Sequence, residues 1–221
     1  MSASCKFTKV AELEAMLEAD PLVQVDFPLV IGDRLSSLHG YSLYSALKSL
    51  EPWLETSPTV LINSIAGTRL YNKQIETHCN SKLQMRVPIS FASRLYALAG
   101  KRLSIGQGSI CLQAPTITPL HPKRNLYSRI VTISLRDLKG AELPPQLFLA
   151  SAQRKLENLG VRGQLFIVLK QGEPIRRVVK IKGQFITGYA VEVKGLSEAD
   201  SLKLQQFRLG GRLKMACGWF E

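Results

Sequence analysis

The sequence lacks several features that would assign it to a common class of protein. It has four cysteines in 221 residues and no Cys-x-x-Cys pair, so neither a disulfide framework nor a zinc site is indicated. No apolar run approaches the ~20 residues of a membrane span. The N-terminal stretch MSASCKFTKVAELEAMLEAD also lacks the apolar centre of a signal peptide. These absences predict a soluble, cytoplasmic protein with no membrane partner.

Signatures of metal-dependent and serine-dependent enzymes are missing as well. The sequence shows no carboxylate cluster and no His/Cys spacing that suits zinc or magnesium. The Gly-x-Ser-x-Gly motif of serine hydrolases is absent. We therefore predict no metal site and no cofactor.

Acidic residues are scarce relative to basic ones. Lys and Arg number 29 against 17 Asp and Glu, which gives a net charge of +12. Residues 123–221 contain 18 basic and 8 acidic residues, so this part carries +10. A basic region of this kind predicts a polyanionic partner, nucleic acid before membrane, because no basic amphipathic helix stands out. The alternative is a basic surface that is only solvated.

Hydrophobic periodicity predicts an α+β fold in which one order of elements occurs twice. After a helix over residues 9–20, the first half is predicted as strand 23–31, helix 41–54, strands 59–67 and 82–89, helix 91–100 and strand 102–117. A turn-like linker over 120–125 precedes strand 127–135, helix 146–160, strand 163–171, a hairpin over 175–196 turning near Lys182-Gly183-Gln184, a helix to about Arg208 and strand 214–220.

Each half has the order β-α-β-β-α-β, which is typical of a split-βαβ fold with two helices on one face of an antiparallel sheet. The sequence thus predicts two tandem ferredoxin-like, RRM-like domains with a C-terminal glycine-rich loop. The predicted boundaries are an N-terminal helical appendix at 1–20, a first domain at 21–122 and a basic second domain at 123–221. Ser197 followed by Asp200 predicts a capping box at the last helix.

Three segments carry a resemblance to a known family: HGYSLYSALKSL, LASAQRKLENLG with the IRRVVKIKG hairpin, and LGGRLKMACGWF. Together they resemble the Cas-six family of CRISPR repeat endoribonucleases, in its compact branch with an HGY segment and a GGRxKMxCG-like ending. The sequence departs from the family pattern at Arg208 and Ala216, where glycines are expected. The resemblance implies two RRM-like domains, cleavage of precursor crRNA at repeat stem-loops and retention of the product within an effector complex.

The HGY match implies that His39 takes the family's catalytic place. RNA cleavage without a metal needs a base for the 2′-hydroxyl, an acid for the leaving oxygen and a cation or donor for the charged phosphorane. A helix N-terminus favours a neutral imidazole, which can act as a base. Lys48 is the candidate cation and Tyr41 the candidate hydroxyl donor, while the acid stays unassigned. The alternative for His39 is a histidine that only forms hydrogen bonds at a helix end.

Basic residues and glycines of the second half are the candidates for RNA binding. Arginine and lysine bind phosphate, glycine lets backbone N–H groups approach it, and an A-form stem is recognised mainly through its backbone and shape. The candidates are Arg154, Lys155, Arg176, Arg177, Lys180, Lys182, Gly210, Gly211, Arg212 and Lys214.

The sequence therefore predicts a metal-independent endoribonuclease that cuts repeat RNA and leaves 2′,3′-cyclic phosphate and 5′-hydroxyl ends. Other CRISPR effector subunits are possible partners. One alternative is a non-catalytic RNA-binding subunit of an effector assembly, and another is a structural RNA-assembly protein. His39 favours the enzyme.

Overall fold

The computed structural model describes residues 12–133, 143–207 and 209–221. The first half contains α1 (12–19), β1 (Leu22–Pro28), β2 (Arg34–Ser36), α2 (Gly40–Leu50), α3 (Trp53–Thr56), β3 (Leu61–Ile62), β4 (Thr68–Arg69), a 3-10 helix (Tyr71–Lys73), β5 (Gln74–Glu76), β6 (Lys82–Pro88), α4 (Ile89–Ala92), a 3-10 helix (Ser93–Leu98), β7 (Arg102–Ile105), β8 (Gly108–Cys111) and β9 (Thr116–Pro119). The second half contains β10 (Leu126–Val131), α5 (Pro145–Asn158), β11 (Gln164–Ile167), β12 (Leu169–Lys170), β13 (Glu173–Pro174), β14 (Arg176–Ile181), β15 (Gln184–Lys194), α6 (Glu198–Gln206) and a 3-10 helix (Leu213–Met215). The predicted helix over 9–20, the strand over 127–135 and Arg208 fall partly or wholly outside the described residues.

The first half forms a four-stranded antiparallel sheet in the order β3-β6-β1-β9. Alternate residues of β1, among them Val25 and Phe27, are fully buried with Leu43 and Leu47 of α2 in one hydrophobic core. This alternation places one face of the sheet against the helices. The strand order is that of a split βαβ unit, and the predicted fold class, two tandem ferredoxin-like domains, is confirmed.

Three predicted elements of the first half are wrong in length or type. The strand predicted over 59–67 is reduced to β3. The helix predicted over 91–100 is α4 followed by a 3-10 helix. The strand predicted over 102–117 is instead the hairpin β7-β8 followed by a separate strand, β9. Gly106 explains the hairpin, because its φ of +63° makes the tight turn that a continuous strand does not contain.

The second half forms a sheet in the order β10-β15-β11, and β14 pairs with the first part of the long strand β15. The predicted hairpin turn is confirmed, since Lys182 and Gly183 both have positive φ, at 48° and 83°. Of the predicted capping box, the serine half is confirmed, while the Asp200 carboxylate accepts from the Ser197 hydroxyl at 2.7 Å rather than from the Ser197 amide. The Ser197 hydroxyl accepts a hydrogen bond from the Asp200 amide at 3.1 Å.

The predicted strand over 214–220 is wrong. A 3-10 helix forms at Leu213–Met215, and Ala216 adopts a left-handed conformation with φ 64°, which ends any extended path. A strand-like contact remains at the C-terminal residue, where Glu221 and Tyr127 exchange two backbone hydrogen bonds of 2.9 Å. A further backbone hydrogen bond, from the Gly218 amide to the Ile130 carbonyl at 2.8 Å, also holds the C-terminal segment beside β10.

The two halves are joined by a shared apolar cluster and by one buried arginine. Leu17 of α1 and Leu61 of the first sheet pack with Phe207, Leu213 and Trp219 of the second half. Arg86 on β6 is 1% exposed; its guanidinium donates to the Gln205 and Phe220 carbonyls, at 2.9 and 2.7 Å, and lies 4.0 Å from the Trp219 ring centre. These contacts hold the C-terminal segment against the first sheet. The domain boundary at residue 122 stays a prediction.

Across the parts of the chain that the structure describes, no helix is both long enough and apolar enough to cross a membrane.

Candidate functional site

A cleft of ≈ 650 Å³ opens where the start of α2 faces the tip of the β14-β15 hairpin. Polar and glycine residues of the β7-β8 turn and of the 71–74 segment complete its walls. Its charged lining side chains are basic, and no Asp or Glu of the part of the chain that the structure describes lines it. The side chains that line the cleft include Arg34, His39, Tyr41, Lys73, Lys180, Lys182 and Phe185.

His39 lies at the inner wall of this cleft and is only 2% exposed. Its Nδ1–H donates to the Ser36 carbonyl at 2.8 Å, and its Nε2 accepts from the Ile65 amide at 3.0 Å. These partners define the neutral Nδ1–H tautomer. Burial lowers the pKa of His39 to about 4, against the raising effect of the Ser36 bond. The predicted histidine therefore reaches the cleft as a neutral ring with both nitrogens engaged.

Gly40, the residue after His39, brings two motifs that are far apart in the sequence into contact. A Cβ on Gly40 would lie 2.8 Å from the Met215 carbonyl oxygen and 3.2 Å from the Ala216 Cβ. Only glycine allows the start of α2 to pack this closely on the C-terminal 3-10 helix. The HGY segment and the KMACG segment thus contact each other directly, and this contact fixes the position of His39.

The structure separates the three predicted catalytic residues. Tyr41 lines the cleft together with His39. Lys48 instead forms an exposed ion pair with Glu55 at 2.7 Å, and the pKa of Lys48 is raised chiefly by this bond. Nine residues along a helix place Lys48 ~13 Å from His39 and on the opposite side of α2. Lys48 and His39 therefore do not face one site in this structure.

Of the predicted RNA-binding residues, Lys180 and Lys182 line the cleft beside Phe185, whose side chain is 67% exposed. Arg176 and Arg177 occupy neighbouring positions of β14, so their side chains leave opposite faces of the sheet. Arg154 and Lys155 lie on α5, whose buried side packs on the second sheet. Neither α5 residue lines the cleft.

The glycine-rich segment forms a second groove, lined by Gly210, Gly211, Arg212 and Lys214 and by residues 55–58 of the first half. Lys214 is engaged within it: its Nζ donates to the Leu54 carbonyl at 2.6 Å and to the Glu55 carbonyl at 2.9 Å. These are the free carbonyls at the end of α3, which a cation stabilises. The predicted glycines and Arg212 thus share a groove, and Lys214 also holds the two halves together.

Sequence reasoning missed Arg129. This residue lies on β10 in the second half, and its charge contributes to the lowered pKa of His39 in the first half. In the sequence it is a polar residue within the strand YSRIV, with nothing to distinguish it from a solvated strand position. Only the contact between the halves reveals its proximity to the histidine.

Within the described ranges, no group of three or more His, Cys, Asp or Glu side chains is arranged to hold a metal ion.

The fold and the cleft define a class of α+β protein in which two ferredoxin-like domains share a basic cleft with a buried histidine. The family model of Cas6 CRISPR proteins matches residues 23–221. The chain is also 32% identical, over 182 residues, to the CRISPR-associated endonuclease Cas6 of Myxococcus xanthus strain DK1622, covering 82% of this chain and 74% of that protein. The chain therefore belongs to the Cas6 family, a CRISPR-associated family that includes endonucleases.

Solved structures agree with the fold. A RAMP protein that binds different RNA substrates has a TM-score of 0.62 at 13% identity, covering 90% of this chain and 98% of that one. A CRISPR-associated Cas6 protein has a TM-score of 0.60 at 12% identity, with the same coverage. At these identities the likeness shows the architecture alone.

Proposed function

We propose that this protein is an endoribonuclease that processes CRISPR repeat RNA. The observation that carries the proposal is the meeting, in one cleft, of the family's histidine segment with the basic hairpin of the second half. A cleft whose charged lining side chains are basic suits a polyanion.

The proposed reaction is attack of the RNA 2′-oxygen on the adjacent phosphate, without a metal ion. The O–P bond to the next nucleotide breaks, the leaving oxygen gains a proton, and the products carry a 2′,3′-cyclic phosphate and a 5′-hydroxyl. His39 is the proposed base, because a neutral ring accepts a proton. To do so, its Nε2 must exchange the Ile65 amide for the 2′-hydroxyl, which requires a local shift of residues 63–65. The Tyr41 hydroxyl is the proposed donor to the reacting phosphate.

Binding of the repeat stem is assigned to Lys180, Lys182 and the glycine-rich groove. We also propose that the cut crRNA stays bound in an effector complex in the cytoplasm, where other CRISPR subunits are its partners. Charge on the hairpin and in the cleft supports tight product binding, since cleavage removes few phosphate contacts.

The second candidate function is a non-catalytic RNA-binding subunit. One observation favours it: both ring nitrogens of His39 are already bonded and the ring is almost fully buried. A histidine in this state stabilises the start of α2 whether or not it takes part in catalysis.

Incubation of the protein with a stem-loop repeat RNA in EDTA distinguishes the two. We expect a single cut with a 2′,3′-cyclic phosphate and a 5′-hydroxyl, and no cut when the nucleotide at that position is 2′-deoxy. A 5′-phosphate on the product, or activity that disappears in EDTA, contradicts the mechanism. Tight binding without cleavage supports the second candidate.

A further inference from the structure

Among the residues that the structure describes, two arginines of the second half find no partner for their charge. The Nε atoms of Arg129 and Arg177 are buried and make no hydrogen bond. Neither side chain forms a hydrogen bond or an ion pair with any residue that the structure describes. Arg86 provides the contrast: its Nε is also unpaired, but its two Nη atoms donate to carbonyls and its guanidinium lies over Trp219. Both side chains are partly exposed, but a buried Nε–H without an acceptor still costs the folded protein free energy.

The sheet brings these two arginines towards each other. Arg177 on β14 is directly opposite Gly188 on β15, and Gly188 lies against the Val131 carbonyl of β10 so closely that a Cβ would collide with it. Arg129 lies in the irregular part of β10, between Ser128 and Val131. Gly188, which has no side chain, therefore lies between β14, which carries Arg177, and β10, which carries Arg129.

The electrostatic environment of Arg129 confirms that like charges are gathered here. Burial is the main cause that lowers the pKa of Arg129, and the positive charges of Arg177 and of Arg69, from β4 of the first half, lower it further. Like charges that lie close together repel one another, and a bound anion would offset this repulsion.

The group also adjoins the candidate catalytic residue. Arg129 is near enough to affect His39, and α2 packs against β14, the strand that carries Arg177. A phosphate held by these arginines would therefore lie next to the histidine rather than along the outer hairpin.

We propose that Arg129 and Arg177 form a binding site for one phosphate group of the RNA backbone beside His39. The guanidinium group suits this ligand, because its planar N–H donors match two oxygens of one phosphate and keep their charge when buried. The assignment to RNA rests on the proposed function; the anion site itself does not. This site would place a positive charge next to His39. Lys48 does not do so, because it pairs with Glu55.

The test compares Arg129→Met and Arg177→Met with Arg86→Met, the matched control. All three remove a guanidinium with a buried Nε, but within the described ranges only Arg86 has partners for its charge. In buffer free of phosphate and sulfate, we expect Arg129→Met and Arg177→Met to keep or raise the Tm, since each removes an uncompensated charge. Arg86→Met should lower the Tm, because two carbonyls lose their donor.

Binding is measured with a repeat RNA that is 2′-deoxy at the cut, so that cleavage plays no part. We expect Arg129→Met to weaken binding by ~10-fold or more and to reduce the slope of log affinity against log salt by ~0.7 to 0.9. Inorganic sulfate should raise the Tm of the unchanged protein and raise that of Arg129→Met less.

A purely structural role predicts the reverse: Arg129→Met lowers the Tm as Arg86→Met does, while RNA affinity, salt slope and the sulfate effect are unchanged. This outcome overturns the proposal. If the protein binds RNA through Arg129 but never cuts it, the anion site stands and the proposed enzymatic function fails. If the sulfate effect depends on Arg129 but RNA binding does not, the phosphate belongs to a smaller ligand and the RNA assignment is overturned.

Discussion

At the scale of single residues, His39 is the proposed catalytic base, although its ring is buried and both ring nitrogens are hydrogen-bonded. Replacing it with alanine should lower the cleavage rate by ~100-fold or more and leave RNA affinity within a few-fold, as expected for a group used in proton transfer. Single-turnover cleavage and equilibrium binding measure the two effects separately.

The matched control is Lys48→Ala. Because Lys48 pairs with Glu55 on the opposite side of α2, we expect it to change the rate far less than His39→Ala. Normal cleavage by His39→Ala would leave the histidine with the stabilising role of its two hydrogen bonds.

Burial of His39 also predicts how stability depends on pH. The pKa of His39 is lowered to about 4 in the folded protein, while an unfolded histidine titrates near 6.5. Between these values the unfolded state binds more protons, so the stability that His39 contributes falls as the pH drops from ~6.5 to ~4. The loss should reach about 3 kcal/mol.

Urea unfolding at a series of pH values checks this slope. The free energy of unfolding of His39→Gln should depend less on pH over the same interval. His121→Gln, at an exposed histidine, should show the same pH dependence as the unchanged protein. Equal slopes in all three proteins would show that the ring is not held neutral.

The position of His39 could be predicted from the sequence, because it precedes an amphipathic helix within a recognisable segment. Its hydrogen bond to Ile65 and its proximity to Arg129 could not. Both depend on contacts between residues far apart in the chain, and local periodicity carries no information about them.

At the scale of elements, the contact of α2 with the C-terminal 3-10 helix depends on Gly40. In Gly40→Ala, the new methyl group would lie 2.8 Å from the Met215 carbonyl, so one element must move. We expect a loss of ~1 to 3 kcal/mol in the free energy of unfolding, despite alanine's higher helix propensity, with a lower cleavage rate because the start of α2 shifts.

Ser45→Ala, at an exposed position of the same helix, is the control and should be neutral or slightly stabilising. If Gly40→Ala were equally neutral in unfolding experiments, the close packing at the start of α2 would be wrong.

Sequence patterns correctly predicted the elements whose formation depends mainly on residues that are close together in the chain. Alternation in β1 and β6, the three- and four-residue spacing in α2, the Lys182-Gly183 turn and the Ser197 cap all agree with the structure. The errors fall where tertiary contacts override the pattern. Residues 214–220 are rich in apolar side chains, as a buried strand is, but Ala216 turns the backbone, Trp219 packs between the two halves and Phe220 enters the core of the second half.

At the scale of the whole molecule, the uneven charge of the chain predicts where salt sensitivity lies. Lys180→Gln with Lys182→Gln removes two cations from the cleft. If both contact phosphate, the slope of log affinity against log salt should fall by up to ~1.8, and affinity for a repeat hairpin should drop by ~10-fold at moderate salt.

The control is Arg94→Gln with Lys101→Gln, two exposed cations of the first half that do not line the cleft. It makes the same change in net charge and should have little effect in the same salt titration. A larger effect from the control pair would move the RNA path to the first half.

The packing of Met215 on Gly40 has a consequence for the order in which the molecule assembles. During synthesis, α2 leaves the ribosome long before residues 213–220 do. The histidine segment therefore cannot form its contact with Met215 until these residues have emerged. A contact this distant in sequence closes late and slowly in folding. The cleft is therefore completed only after the hairpin and the second sheet exist, and a nascent chain cannot present a finished site to RNA before then.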